Sequence, residues 1–187
     1  MKEGATEEEV KTRRMLLLAL AKCYDPLGVI SPFTILGKFL FQEAINEPGG
    51  WDTPMSEDLM KRANAWRLGI SDLRKLRVRR WVANDEMTDA VPDLHIFSDA
   101  SKVGYGFCVF RRAVSEATGE VSIANIYSKA RVIPKLKSIK DKSRHNDLVP
   151  RFELTAAAAA AEFYESFLPE ADEEFGNIFF GWTRRAF

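Results

Sequence analysis

The sequence predicts a mixed chain, α+β / α/β in class, with an N-terminal helical segment over residues 1–90 followed by a strand-rich unit over residues 91–187. Three observations predict it. Up to residue 80 the apolar residues recur at steps of three or four. Beyond Pro92 they fall into short runs rich in β-branched and aromatic residues. One alanine-rich helix then interrupts the strands, giving the order β-β-β-α-β.

In the first segment, Asp25-Pro26-Leu27-Gly28 reads as a turn. Ser31-Pro32 reads as a helix entry, because proline in the first turn lacks only an N–H that would have no partner there, and Pro48-Gly49-Gly50 closes that helix. A second helix is predicted from the stripe Leu59, Ala63, Trp66, Ile70, Leu73 and Leu76, with Ser56 as its N-cap. In the second segment, Leu94–Asp99, Gly104–Phe110 and Val121–Tyr127 read as successive strands of an antiparallel meander. A helix is predicted from Leu148 to Phe167 around six consecutive alanines, Ala156 to Ala161. Alanine favours helix and adds almost no bulk, so this helix can lie close to a sheet. Asn177 to Thr183 reads as a fourth strand.

Composition excludes several classes. With 46% apolar and 11% aromatic residues, the 187-residue chain can bury a core. Its 27 basic and 27 acidic residues cancel, so only local charge is informative. The longest apolar run, Met15 to Ala21, is too short to span a bilayer, and no signal peptide is read, so no membrane partner is expected. Cys23 and Cys108 lie far apart without metal-ligand spacing. An intracellular setting, cytoplasm or nucleus, is expected.

The candidate chemistry starts at Ser98-Asp99-Ala100-Ser101, where a carboxylate ends a strand. Alone this is an ordinary Asx-turn pattern. In the next strand Gly104 and Gly106 share a face and leave room for a phosphate, a metal or a second backbone, or simply relieve crowding under a twisted sheet. Glu153, in Arg151-Phe152-Glu153-Leu154, lies in the first turn of the alanine helix, where the dipole already favours a negative charge. Helical spacing groups it with Ala157, Ala160 and Tyr164, a face small enough to press on the sheet and bring Glu153 towards Asp99. Two such carboxylates repel unless a cation lies between them, which points to a hard-metal site.

These residues carry a family resemblance. The order of elements, with Asp on the first strand and Glu on the helix, resembles the ribonuclease H fold. Tyr24-Asp25-Pro26-Leu27-Gly28, Trp51-Asp52, His95 to Gly106, Ser128-Lys129-Ala130-Arg131-Val132 and Arg151 to Ala157 resemble the Pol polyprotein of BEL/Pao-type LTR retrotransposons, from about residue 15 to residue 183. The resemblance implies that residues 1–90 are a reverse-transcriptase thumb or connection segment and that residues 91–187 are a C-terminally truncated ribonuclease H-like domain. It implies an endonuclease for the RNA strand of RNA/DNA hybrids, using two Mg²⁺ ions, with Asp99 and Glu153 as catalytic metal ligands and the remainder of a Pol polyprotein as partner.

The pattern breaks at the C-terminus. Where the family carries an Asp in a Trp-Thr-Asp-Ser block, this chain reads Trp182-Thr183-Arg184-Arg185. The expectation is a chain with little or no nuclease activity as written, and His145, which precedes the Glu153 helix, is expected on a solvent-facing loop. Faces carrying Phe107, Ile126, Ile178 and Phe180 are expected to be poorly covered. The basic stretch Lys61 to Trp81, including Arg77, Arg79 and Arg80, reads as a solvated helix face or a phosphate contact, and Lys129 to Arg151 as a basic loop. Candidate nucleic-acid contacts are therefore Ser101, Arg77, Arg79, Arg80, Lys129 and Arg131. The alternatives to a nuclease fragment are a catalytically dead nucleic-acid-binding remnant and a protein-interaction fragment.

Overall fold

The computed structural model describes residues 9–73, 75–78, 90–134, 149–171 and 173–182. The chain forms two compact units, Met1–Pro26 with Pro32–Val78, and Leu27–Ser31 with Arg79–Phe187. The predicted turn at Leu27-Gly28 thus belongs with the strands rather than with the helices that flank it in sequence.

The helical unit contains α1 (Arg13–Ala21), α2 (Ser31–Asn46) and α3 (Glu57–Leu73). Thr12 caps α1, its hydroxyl accepting the Met15 N–H at 3.3 Å. Leu59, Ala63 and Trp66 bury the predicted stripe of α3 against Leu16, Leu40 and Ala44. Trp66 stacks on Phe33 with centroids 5.3 Å apart and donates its indole N–H to the Phe33 carbonyl. Leu76 lies past the end of α3 and is exposed, so the stripe stops at Leu73. Ser56 precedes α3 as predicted, but its hydroxyl and N–H both donate to Glu47. Those two bonds, the hydroxyl's first, hold the Glu47 carboxyl below its ordinary range.

The second unit is a four-stranded sheet, β1 (Asp93–Ala100), β2 (Gly104–Val114), β3 (Val121–Val132) and β4 (Ile178–Trp182), in the order β3-β2-β1-β4. β1 pairs antiparallel with β2 and parallel with β4, and the chain crosses from β3 to β4 through α4 (Val149–Phe167). Parallel pairing requires such a crossover. α4 lies on the face carrying Leu94, Ile96, Phe107 and Val109 and packs through Ala160, Phe163 and Phe167. Full burial of Leu94, Ile96 and Val109 is worth about 1.5–3 kcal/mol each.

Two expectations about this face change. Phe107, expected to be poorly covered, is core, because α4 lays Phe163 over it at 5.8 Å. Ile126 is half-buried against the same cluster, whereas Ile178 and Phe180 are exposed. Of the predicted stripe Glu153, Ala157, Ala160 and Tyr164, Ala160 is buried and Tyr164 packs on the core, while the centre of the contact is rotated towards Ala156, Phe163 and Phe167. The aromatic residues set the rotation: Phe163 stacks on Tyr127 at 4.5 Å and on Phe167 at 5.4 Å, and Phe152 stacks on Tyr105 at 5.9 Å.

The Leu27–Ser31 segment lies against β3. The Ser128 N–H donates to the Leu27 carbonyl at 2.8 Å, and Gly28 adopts φ +74°. A Cβ there would stand 1.6 Å from the Ser128 carbonyl oxygen, so only glycine fits. This contact occupies part of an edge strand that would otherwise offer unpaired backbone.

Candidate metal centre and nucleic-acid surface

Asp99 occupies the C-terminal end of β1, opposite Gly106 of β2, which is in turn opposite Ala130 of β3. Its side chain is exposed, and one carboxylate oxygen accepts the Ala100 N–H at 2.8 Å. A carboxylate has further lone pairs to offer an ion. Gly106 serves one of the purposes left open by the sequence, close approach of a second backbone: a Cβ would meet the Lys129 carbonyl oxygen at 2.4 Å.

Strand alternation fixes which residues share a face. Leu94, Ile96 and Ser98 point towards α4, so His95, Phe97 and Asp99 line the opposite face. His95 stacks on Phe179 at 4.7 Å there, with Phe97 beside it. Lys129 and Arg131 are exposed on β3 opposite Phe107 and Tyr105, in the row of Tyr127, and therefore lie on the α4 face. The sheet thus separates Asp99 by face from Lys129 and Arg131, and also from α4 with its Glu153, so the two acids share an end of the unit and not, as expected from the sequence, a face.

Glu153 sits half-buried in the first turn of α4. The neighbouring Phe152 ring packs on Tyr105, and Tyr105 pairs with Ala100. This chain of contacts brings the first turn of α4 and the last residues of β1 to one end of the unit. The positioning role of Phe152 and Tyr105 was not read from the sequence. The available signal was an aromatic residue in the first turn of a helix that is otherwise alanine.

Ser101 organises its own turn. Its hydroxyl donates to the Gly104 carbonyl at 3.0 Å and accepts the N–H groups of Val103 and Gly104 at 3.3 and 3.2 Å. Those bonds keep the β1–β2 connection tight beside Asp99. In the predicted basic stretch, Arg62 pairs with Glu43 and Asp58, and Lys75 pairs with Asp72. Two cations of that stretch are therefore neutralised by neighbouring acids, one of them, Arg62, on α3. Arg77 follows α3 and donates to the Leu76 carbonyl at 3.3 Å. Arg79, Arg80, His145, Arg184 and the lysines between 135 and 142 lie outside the described residues.

Cys23 and Cys108 are free and half-buried, and burial pushes both thiols above their ordinary value, with Asp25 adding to the effect at Cys23. Among the described residues no helix is long and apolar enough to cross a membrane. Two carboxylates suit a hard divalent cation, but no group of three His, Cys, Asp or Glu side chains among the described residues could hold a metal. The donor set does not fit a complete two-ion centre.

Comparison with known proteins agrees with the architecture. The Pao retrotransposon-like RNaseH-like domain matches residues 12–183, which takes in most of both units. No curated protein matches the chain.

Proposed function

The chain belongs to the Pao retrotransposon-like RNaseH-like domain family, and from that premise we propose that it is a hybrid-binding segment of a retrotransposon Pol polyprotein whose hydrolytic site is incomplete. The reading rests on the placement of the first turn of α4, with Glu153, at the same end of the unit as Asp99 on β1. Residues 1–90 act as the reverse-transcriptase connection, and residues 91–187 as the ribonuclease H-like part. The remainder of the polyprotein is the partner, in cytoplasm or nucleus.

Asp99 and Glu153 supply hard oxygen ligands that reach a common divalent ion only around the end of β1, since alternation sets them on opposite faces of the sheet. Two-ion hydrolysis needs further anionic ligands to fix both ions and orient the attacking water. The chain instead has Arg184 in the sequence position where the family pattern carries an Asp. Two unit charges about 4 Å apart interact by roughly 4 kcal/mol at an effective dielectric near 20, and a divalent ion by more, so reversing the sign of a ligand replaces attraction by comparable repulsion. Binding therefore outlives cleavage. Lys129 and Arg131, exposed side by side on β3, are available to phosphates, and Arg77, Arg79 and Arg80 extend the basic surface in sequence. Ser101 contributes indirectly, by holding the turn next to Asp99.

Incubation with Mg²⁺ and a labelled RNA/DNA hybrid is expected to give binding without RNA-strand cleavage. The affinity should fall steeply as salt rises, and Lys129→Ala with Arg131→Ala should reduce the slope of log affinity against log salt by about one for each phosphate that is no longer neutralised. Strong cleavage by this chain would overturn the incomplete-site reading. Absence of binding at low salt would remove the hybrid as its ligand.

A further inference from the structure

The Tyr24-Asp25-Pro26-Leu27-Gly28 block has no part in the candidate metal centre, yet its last residues are built into the strand unit. The segment leaves α1, meets the outer edge of β3 and turns back into α2, the Ser31 N–H donating to the Gly28 carbonyl at 3.0 Å. Its anchor is Ser128, whose N–H bonds the Leu27 carbonyl and whose own carbonyl leaves no room for a Cβ on the buried Gly28.

That anchor lies beside a weak point of the ladder. Val109 pairs with Tyr127 and Phe110 with Asn125, so Ile126 bulges from β3. A bulge interrupts the ladder and sharpens the local twist. Ser128 lies two residues beyond it, with the Asn125 amide donating to its hydroxyl at 2.8 Å. Lys129 and Arg131 follow at once, both exposed and on one face. We propose that Leu27–Ser31 is a strap that positions the Lys129 and Arg131 pair for phosphate contact, with Gly28 as its positioning residue. The inference rests on the hybrid-binding reading and adds part of the N-terminal segment to that surface. Alternate residues of a strand stand about 6.6 Å apart, so the two cations reach neighbouring phosphates together when the twist of this stretch is fixed. With the strap docked, β3 is held past its bulge from both sides, by β2 and by Leu27. With the strap released, the edge twists freely and the cations engage one at a time. Such coupling is reciprocal, so a bound hybrid also holds the strap down.

Hydrogen exchange and a salt series on the full chain test it. Adding an RNA/DNA hybrid to the wild-type chain is expected to slow exchange of the Ser128 and Ser31 amides several-fold. Gly28→Ala is expected to speed exchange at Ser128 and to lower the slope of log affinity against log salt by about one, the loss of one phosphate contact with both cations still present. Gly119→Ala, at a positive-φ glycine with open space around it, is the control and should leave the slope unchanged. A general loss of stability lowers the amount of competent chain and leaves the slope alone, so the slope separates positioning from a structural role. A wild-type chain that binds no hybrid at low salt sinks the hybrid reading and this inference with it. A chain that binds while its Ser128 and Ser31 amides ignore the hybrid, or whose slope survives Gly28→Ala, overturns the strap alone. Where circular dichroism shows Gly28→Ala to be unfolded, the wild-type exchange decides.

Discussion

Gly106→Ala is expected to destabilise the strand unit by about 3 kcal/mol, the upper part of the range for forcing extra volume into a packed interior. The added Cβ would stand 2.4 Å from the Lys129 carbonyl oxygen and 3.2 Å from the Ala130 Cα. Both neighbours are backbone of β3, so no rotamer change relieves the contact, and β2 and β3 must separate. Separation disturbs the paired row Asp99, Gly106 and Ala130 and hence the end of the sheet that carries the candidate site. Gly119→Ala is the informative control. Nothing lies within 4 Å of its added Cβ, and its φ of +71° alone should cost about 1–2 kcal/mol. Urea unfolding of both variants, monitored by a probe in the strand unit, separates steric approach from backbone freedom. Equal losses would show that close approach at Gly106 contributes nothing.

Glu173→Ala is expected to cost a similar amount, about 3 kcal/mol, because it strands a buried cation. The Arg111 side chain is only 3% exposed, and the Glu173 side chain 33%. The guanidinium grips the carboxylate through two nitrogens, Nε to Oε2 at 2.8 Å and Nη2 to Oε1 at 2.5 Å. Arg111 lies on β2 in the row of Phe107, Val109 and Ala113, and Glu173 lies between α4 and β4. The pair therefore anchors the α4–β4 connection to the sheet. Arg111→Met should cost less than Glu173→Ala, since it replaces the buried charge by an apolar side chain of similar length and leaves a half-exposed carboxylate that water can reach. The opposite ranking in denaturant unfolding would show that the pair acts through Glu173 rather than through burial of Arg111.

The architecture was legible in the sequence where local pattern and tertiary packing agree. The three strands, the alanine helix and the final strand all occur near their predicted positions, because alternation and alanine content are local signals. β3 runs on to Val132, five residues beyond its expected end. Ser128 to Val132 alternate half-buried and exposed, and the charges of Lys129 and Arg131 hid the strand pattern. The rotation of α4 was not legible, because it depends on which aromatic residues of three strands meet it. The attachment of Leu27-Gly28 to β3 was not legible either, since it links positions about a hundred residues apart by backbone alone.

The candidate site divides in the same way. Asp99 and Glu153 were identified by residue type and by resemblance, and their arrival at one end of the unit follows from element order. The separation of Asp99 from Lys129 and Arg131 by face follows from register, which the sequence did not specify. Ser101 matched a motif, and its hydroxyl is engaged by the turn that the motif encodes.

Titration of the isotope-labelled chain with Mn²⁺, followed by amide line broadening, tests most directly whether Asp99 and Glu153 meet at one ion. The expected result is that the signals of Asp99 to Ser101 and of Glu153 and Leu154 broaden together at the same Mn²⁺ concentration, and that Asp99→Asn weakens the broadening at Glu153. Broadening around one carboxylate with the other unaffected, or at neither, would contradict a shared ion.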